Sequence, residues 1–432
     1  MGSLSLSSQH ALVDTSRLKM DLVALAPLFK TFEDQEGQKG YSSPYSFINL
    51  PIDRGYIAQV KKLVAAKQNM QPALAVVVGI GGSNLGTQAV YQALYSWREP
   101  SLPLYFADTV DPEAMAFILG KADRALAAGK NLLIIAISKS GSTTETIANF
   151  ECLLELLIKY QPDSYAQSVI AITDKDSPFW KLAITKQYEL LEIPAHIGGR
   201  FSVLSAVGLF PLALAGVDID ALCKGAQEMS NSCIAQAEDN PAFILASTLA
   251  FHYAKGIAIH DLFLFCGALE GLGKWQRQLL AESLGKPNQQ GKPQGITPTV
   301  SVGSTDLHSM GQLYLGGPVA RVTTFVWVDD AGAHVYVPEM PEFNNLVPHL
   351  QNKSLHMIME AIFNGTQKAY EQAKCPFMTM MMPEKNAFYI GQFLQMQMIA
   401  TSYLGALLNV NTFDQPQVEL YKRNTRKILA DE

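Results

Sequence analysis

The stretch Ile134-Ile-Ala-Ile-Ser-Lys-Ser-Gly-Ser-Thr-Thr-Glu-Thr146 decides the fold. An apolar run, Leu132 to Ile137, stops abruptly. Ser138, Lys139, Ser140, Gly141, Ser142, Thr143 and Thr144 follow at once, and then a helical pattern begins. This order reads as a buried strand that delivers a hydroxyl-rich loop to a helix N-terminus. Such a loop offers backbone N–H groups, several O–H donors and the positive end of a helix dipole, a combination that suits a phosphate. A Ser/Thr-capped helix after an ordinary strand has a similar pattern. Here the hydroxyls are denser than a cap requires, and a second loop of the same kind lies upstream.

That second loop follows Ala75-Val-Val-Val-Gly79, a β-branched run of the fully buried type. Gly79-Ile-Gly-Gly-Ser-Asn-Leu-Gly86 is a glycine-rich turn, and Thr87 to Trp97 is helical. Leu104 to Ala107, Leu132 to Ile137 and Val169 to Thr173 are further strands, alternating with helices over 115–128 and 143–159. Strands alternating with helices predict a parallel sheet covered on both faces. Ligands gather beyond the carboxyl ends of such strands, where Ser83, Asp108, Ser138 and Asp174 stand. A second unit of the same kind starts at Leu262-Phe-Leu-Phe-Cys266, with a helix over 269–284, an extended run from Val300 and a strand over 322–328. Long helices are expected over 355–373 and 385–408. Amphipathic helices over 16–29 and 56–68, joined by a loop over 37–51, precede the first unit. The expected organisation is a helical lead-in over 1–70, a first α/β domain over 71–215, a second over 216–410, and a C-terminal loop and helix over 411–432.

Bulk properties bound the function. The 432 residues carry a net charge of -6 and no concentrated basic stretch, which excludes a nucleic-acid binder. The five cysteines are scattered and form no CxxC pair, so a reduced, cytoplasmic setting is expected. The N-terminus lacks the pattern of a secretory signal. The longest apolar run, Phe201 to Val217, is short for a membrane span and contains Ser202, Ser205 and Pro211, so it reads as a buried helix. The eight histidines form no HxH or HExxH pattern, and no metal site is expected.

The candidate chemistry is spread along the chain. Gly79, Gly81 and Gly82 fail the dinucleotide spacing because Asn84 stands where the last glycine belongs, and the turn lacks the GK[ST] end of a P-loop. A backbone approached closely by a small sugar ligand fits better. Lys139 is placed to neutralise phosphate charge. Glu145, in the first helical turn, complements the dipole or orients a histidine. Gly198-Gly-Arg200 sets a guanidinium before a buried helix, where its delocalised charge suits an enediolate or carboxylate oxygen. Gln278 and Glu282 are four apart and share a helix face. His308 falls in the polar turn Gly303-Ser-Thr-Asp-Leu-His308, and Lys422 ends Phe413-Asp-Gln-Pro-Gln-Val-Glu-Leu-Tyr-Lys422. Taken singly, each also reads as an ordinary solvated or structural residue.

Together, and in this order along almost the whole chain, these motifs resemble the glucose-6-phosphate isomerase family in its compact bacterial form. The Gly-Gly-Arg-Phe-Ser and Asp-Gln-x-x-Val-Glu-x-x-Lys segments are the most specific. Gln417 stands where the family usually has Gly, and Leu284 where many members have Asn. The resemblance implies two doubly wound, flavodoxin-like sugar-isomerase domains wrapped by terminal helical segments. It implies interconversion of D-glucose 6-phosphate and D-fructose 6-phosphate without metal or organic cofactor, in a homodimer with shared sites. His308 and Lys422 match the ring-opening groups, and Glu145 matches the carboxylate that orients the histidine. Glu282 matches the base that moves a proton between C2 and C1, and Arg200 the stabiliser of the enediolate. Gly82, Ser83, Ser138, Lys139, Ser140 and Thr143 match the phosphate and substrate loops, and Gln278 and Gln415 match substrate-holding side chains. Two other readings stay open from sequence: an isomerase that also accepts mannose 6-phosphate, and a non-catalytic sugar-phosphate sensor.

Overall fold

The computed structural model describes residues 2–330 and 332–431. The strands among them are β1 (Ser5–Ser7), β2 (Pro72–Val78), β3 (Leu104–Ala107), β4 (Asn131–Ile137), β5 (Val169–Asp174), β6 (Glu189–Ile193), β7 (Ile259–Leu264), β8 (Thr297–Val302), β9 (Arg321–Asp330) and β10 (Phe377–Glu384). They form two sheets, one in each of two compact units. The first unit is Leu28–Ile234 with Ile390–Met398; the second is Met1–Pro27, Ala235–Tyr389 and Ile399–Glu432. The lead-in expected over 1–70 is therefore divided at Pro27, and residues 216–234 group with the first sheet.

The first sheet has the order β3-β2-β4-β5-β6 with every neighbouring pair parallel. Counted from its own first strand this is 2-1-3-4-5, the flavodoxin-like winding, whose switch point lies between β2 and β4. Neighbours of opposite pleat parity, such as Val76 and Val77 or Ile134 and Ile135, are equally buried. Both faces are thus covered, which is why these strands read as continuous apolar runs. On one face Val76, Val78, Ile134 and Ala136 pack with Met115 and Ile118 of the Pro112–Ala127 helix. Phe150, Leu153 and Leu157 of the Thr144–Tyr160 helix complete that layer.

The second sheet has the order β1-β10-β9-β7-β8. Its β7, β8, β9 and β10 pair in parallel with the same 2-1-3-4 winding, and β1 adds antiparallel to β10 and covers that edge. One face is aromatic: Phe263, Phe265, Phe325, Trp327 and Phe377 pack with Phe363 and Tyr370 of the Leu355–Gln372 helix. Burying each such ring stabilises by about 1.5–3 kcal/mol.

The helix expected over 16–29 is two helices, Thr15–Ala24 and Ala26–Gln35, with Pro27 at the start of the second. The expected loop over 37–51 contains a 3-10 helix, Pro44–Ile52, opened by a capping box of Ser43 and Ser46. The apolar run from Phe201 becomes helical only at Ala206, because the Ser205 hydroxyl accepts from the Val207 N–H and caps the helix there. No helix among the described residues is long and apolar enough to cross a membrane.

Candidate functional site

Two turns leave the first sheet at the carboxyl ends of β2 and β4, the strands that flank its switch point. The first passes Gly79 and makes a 3-10 turn, Gly81–Ser83, before the Leu85–Tyr95 helix. Asn84 is buried beneath it and donates to the Gly79 carbonyl at 3.2 Å. A Cβ on Gly82 would lie 2.2 Å from the Gly199 carbonyl carbon and 2.5 Å from the Arg200 nitrogen. Gly82 therefore has a structural reason to be glycine: the turn after β2 presses backbone to backbone against the Gly198-Gly199-Arg200 turn. The Ser202 hydroxyl joins the two, donating to Gly199 O at 2.7 Å with Gly82 O at 3.5 Å. Arg200 is 3% exposed on this braced turn, with its guanidinium carbon 5.7 Å from the Phe201 ring centroid.

The second turn, after β4, is the hydroxyl-rich loop. Ser138 is buried, and its Oγ lies 3.1 Å from Thr143 Oγ1. Thr143 occupies the N-cap position of the Thr144–Tyr160 helix, yet its side chain makes no capping bond. Most other long helices of the first unit do have one: Asp53, Asp111 and Ser177 each accept from a first-turn N–H. Gly141 has φ +70° and sits 2.8 Å, measured from a notional Cβ, from the Phe179 nitrogen, so only glycine fits this loop comfortably. Ser140 is exposed and accepts from the Ser142 N–H at 3.3 Å. Glu145 is half-buried in the first turn of the helix.

Lys139 has a role that its position in sequence did not reveal. Its Nζ donates to the carbonyls of Ala195 at 2.6 Å and Ile197 at 2.9 Å. The ammonium thus staples the loop after β4 to the segment that leads into Arg200. Burial pulls its pKa below the ordinary lysine range, with the charge of Asp174 opposing that shift. Asp174 ends β5, and its backbone N–H donates to Lys139 O at 3.3 Å. Burial raises its carboxyl to about 6, with Lys139 pulling it down and Glu192 pushing it up. A strand-end aspartate was visible in sequence; its coupling to Lys139 was not. Asp108, at the end of β3, is likewise raised by burial.

The remaining candidates lie in the second unit. Helix Glu270–Leu284 carries Gln278, whose Nε2 donates to Glu282 Oε2 at 3.1 Å, so their shared face is a direct contact. Gln278 Oε1 is buried with no hydrogen-bond partner among the described residues. Glu282 is half-buried. This helix follows β7 and returns the chain to the start of β8, so Glu282 lies at the end of the sheet where strands begin. His308 lies beyond the other end of β8. It is on a short helix, Thr305–Ser309, rather than in the expected turn, and it is exposed. The six residues of β8 put about 20 Å between these ends. Gln415 is exposed in the tail loop, and Lys422 lies on the Val418–Asp431 helix with Nζ 2.8 Å from Glu419 Oε1. Within the described residues no group of three or more His, Cys, Asp or Glu side chains could hold a metal ion.

Residues 66–313 match the family described as phosphoglucose isomerase. The chain is 32% identical over 397 residues to a glucose-6-phosphate isomerase of Thermus thermophilus, covering 92% of each chain. It is 32% identical over 447 residues to that of Heliobacterium modesticaldum, covering 100% of this chain and 96% of the relative. Among solved structures, a hypothetical protein from Thermus thermophilus superposes with a TM-score of 0.87 at 31% identity, covering 99% of this chain and 100% of that one.

Proposed function

The chain belongs to the phosphoglucose isomerase family, and from that premise we propose that it interconverts D-glucose 6-phosphate and D-fructose 6-phosphate. The observation that carries the reading is the loop after β4. A helix N-terminus without a side-chain cap, ringed by Ser138, Ser140 and Thr143, stands at the switch point of a doubly wound sheet. That is where first-turn N–H groups and hydroxyls meet a phosphate best. Gly82 and Ser83 bound the same crevice from β2, and Lys139 adds positive charge to it.

The substrate enters as a ring. His308 and Lys422 take the ring-opening roles: one delivers a proton to the ring oxygen, the other receives the proton of the anomeric hydroxyl. Histidine is suited to this because its imidazole exchanges protons near neutrality. Glu145 orients that imidazole. Glu282 then removes the proton from C2 and returns it to C1, passing through a cis-enediolate. The carboxylate ends as it began, and the proton of the C2 hydroxyl passes to O1 through the enediolate, so the isomerisation has no net gain or loss of protons. Gln278, bonded to Glu282, fixes the carboxylate for this transfer, and with Gln415 it holds the sugar. Arg200 stabilises the negative oxygens of the enediolate from a site that excludes water.

Glu282 and His308 lie at opposite ends of one sheet, and two copies of the chain resolve that separation. We therefore propose a homodimer in which His308 of one copy completes the site built around Glu282 of the other. We also place the enzyme in the cytoplasm. Its five cysteines are scattered without a CxxC pair, as in proteins of a reducing compartment, and its phosphorylated substrates do not cross membranes.

The test is a coupled assay of the purified protein on fructose 6-phosphate, with and without a chelator. Turnover to glucose 6-phosphate that survives chelation is the expected result. No turnover in either condition overturns the proposal.

A further inference from the structure

Lys286 lies one turn beyond Glu282 and has no part in the chemistry above. It is 6% exposed, which is rare for a lysine. Its Nζ donates to the backbone carbonyl of Asn411 at 2.8 Å, to the backbone carbonyl of Asp414, and to Asp414 Oδ1 at 2.9 Å. An ammonium has three N–H donors, and all three of these acceptors come from one short stretch of the tail. That stretch is also shaped from within. Asn411 Nδ2 donates to Asp414 Oδ2 at 2.9 Å, and Phe413 N–H donates to Asn411 Oδ1 at 3.1 Å. Beside it, Gln294 N–H donates to Lys286 O and Gln289 N–H to Asn409 O, each at 3.1 Å. Gln415 follows Asp414 directly, and the helix that bears Lys422 begins at Val418.

We infer that Lys286 is a positioning residue of the isomerase proposed above: its ammonium ties the end of the Glu282 helix to the tail loop and so sets where Gln415 and Lys422 stand relative to the base. The inference rests on that reading of the reaction. Stability alone is a poor reason for this arrangement. A buried lysine paired with a half-exposed aspartate is matched in stability by a well-packed apolar side chain. An apolar side chain cannot grip two carbonyls and a carboxylate, and that grip is what fixes the conformation of the loop.

The experiment compares Lys286→Met, Asp414→Asn, Gln415→Ala and the double variant Lys286→Met/Gln415→Ala. Steady-state kinetics on fructose 6-phosphate are read beside thermal unfolding. Lys286→Met is expected to lower kcat/KM by about 10–100-fold. Asp414→Asn keeps both carbonyl contacts and is expected to lose about 3–10-fold, with its unfolding midpoint unchanged. Because Lys286 acts through the loop, the double variant should be no worse than the poorer single variant. Wild-type kcat/KM in Lys286→Met and Asp414→Asn overturns the inference. Losses that multiply in the double variant also overturn it. Should Lys286→Met not fold, Asp414→Asn decides alone. A wild-type enzyme without turnover strikes at the isomerase reading instead, so the two failures are distinguishable.

Discussion

The two sheets share one winding and differ in what their loops carry. In the first, the strands at the switch point lead into Gly79-Ile-Gly-Gly-Ser83 and Ser138-Lys-Ser-Gly-Ser142, turns of glycine and polar side chains. In the second, the equivalent strands β7 and β9 carry Phe263, Phe325 and Trp327, and Phe265 follows β7; all four are buried in an aromatic layer. There the candidate groups stand elsewhere, on the far end of a helix, on the short helix after β8 and on the tail. Winding alone therefore does not make a crevice into a site. The loop composition decides, and in the function proposed above one unit holds the substrate and the other reacts.

The sharpest way to break that division is Glu282→Gln. The amide keeps a carbonyl to accept from Gln278 and loses the base. Turnover should fall by about 10²–10⁴-fold while the affinity for fructose 6-phosphate changes little, measured by steady-state kinetics and by direct titration. A comparable loss of binding would mean that the second unit also holds the phosphate.

Next in size is complementation between copies. Glu282→Gln and His308→Ala proteins are each expected to be nearly inactive on cyclic substrate. Mixed and reassociated in equal amounts, half the dimers pair one of each, and one of their two sites has both groups. Activity should return to about a quarter of the wild-type value. No recovery on mixing, with dimers present, would mean that His308 serves its own chain.

The alternation of strands and helices in both units was legible because β-branched and apolar runs ended at glycine or hydroxyl clusters. The Gln278–Glu282 contact was legible from spacing alone. Other features had no local signal. β10 contains Met378, Met380, Met381 and Met382, residues with no strand preference, between two long helices, so only its place beside β9 makes it a strand. β1 is three residues long and is defined by its partner. The staple from Lys139 to Ala195 and Ile197 joins residues more than fifty positions apart, which no periodicity reports. The demand that Gly82 lack a side chain comes from Gly199, far along the chain, and was read in sequence as room for a ligand.

Lys139 sharpens the comparison from the holding side. Lys139→Met should raise KM for fructose 6-phosphate by about tenfold, or ~1.4 kcal/mol, and change kcat less. It should also lower the unfolding midpoint, because the Ala195 and Ile197 carbonyls lose a charged donor. A fall in kcat with KM unchanged would assign Lys139 to the chemistry and erase the distinction between the units.

The smallest effect concerns Asp174, which borders the same loop. Its carboxyl is raised from an ordinary 3.8 to about 6, chiefly by burial. In the folded chain it therefore holds its proton over a pH range where the unfolded chain has already released it. Stability falls as pH rises wherever the folded state binds more protons. The contribution is fully present below about pH 4, declines between about 4 and 6, and is lost above that. Asp174→Asn removes the charge but keeps the backbone bond to Lys139. The variant should match the wild type below pH 4 and unfold about 1–2 °C higher at pH 8, a modest gain because half-exposed charge is screened by water. A gap in midpoint that does not change with pH would show that some property other than the charge of Asp174 separates the two proteins, and would detach this residue from the electrostatics of the holding loop.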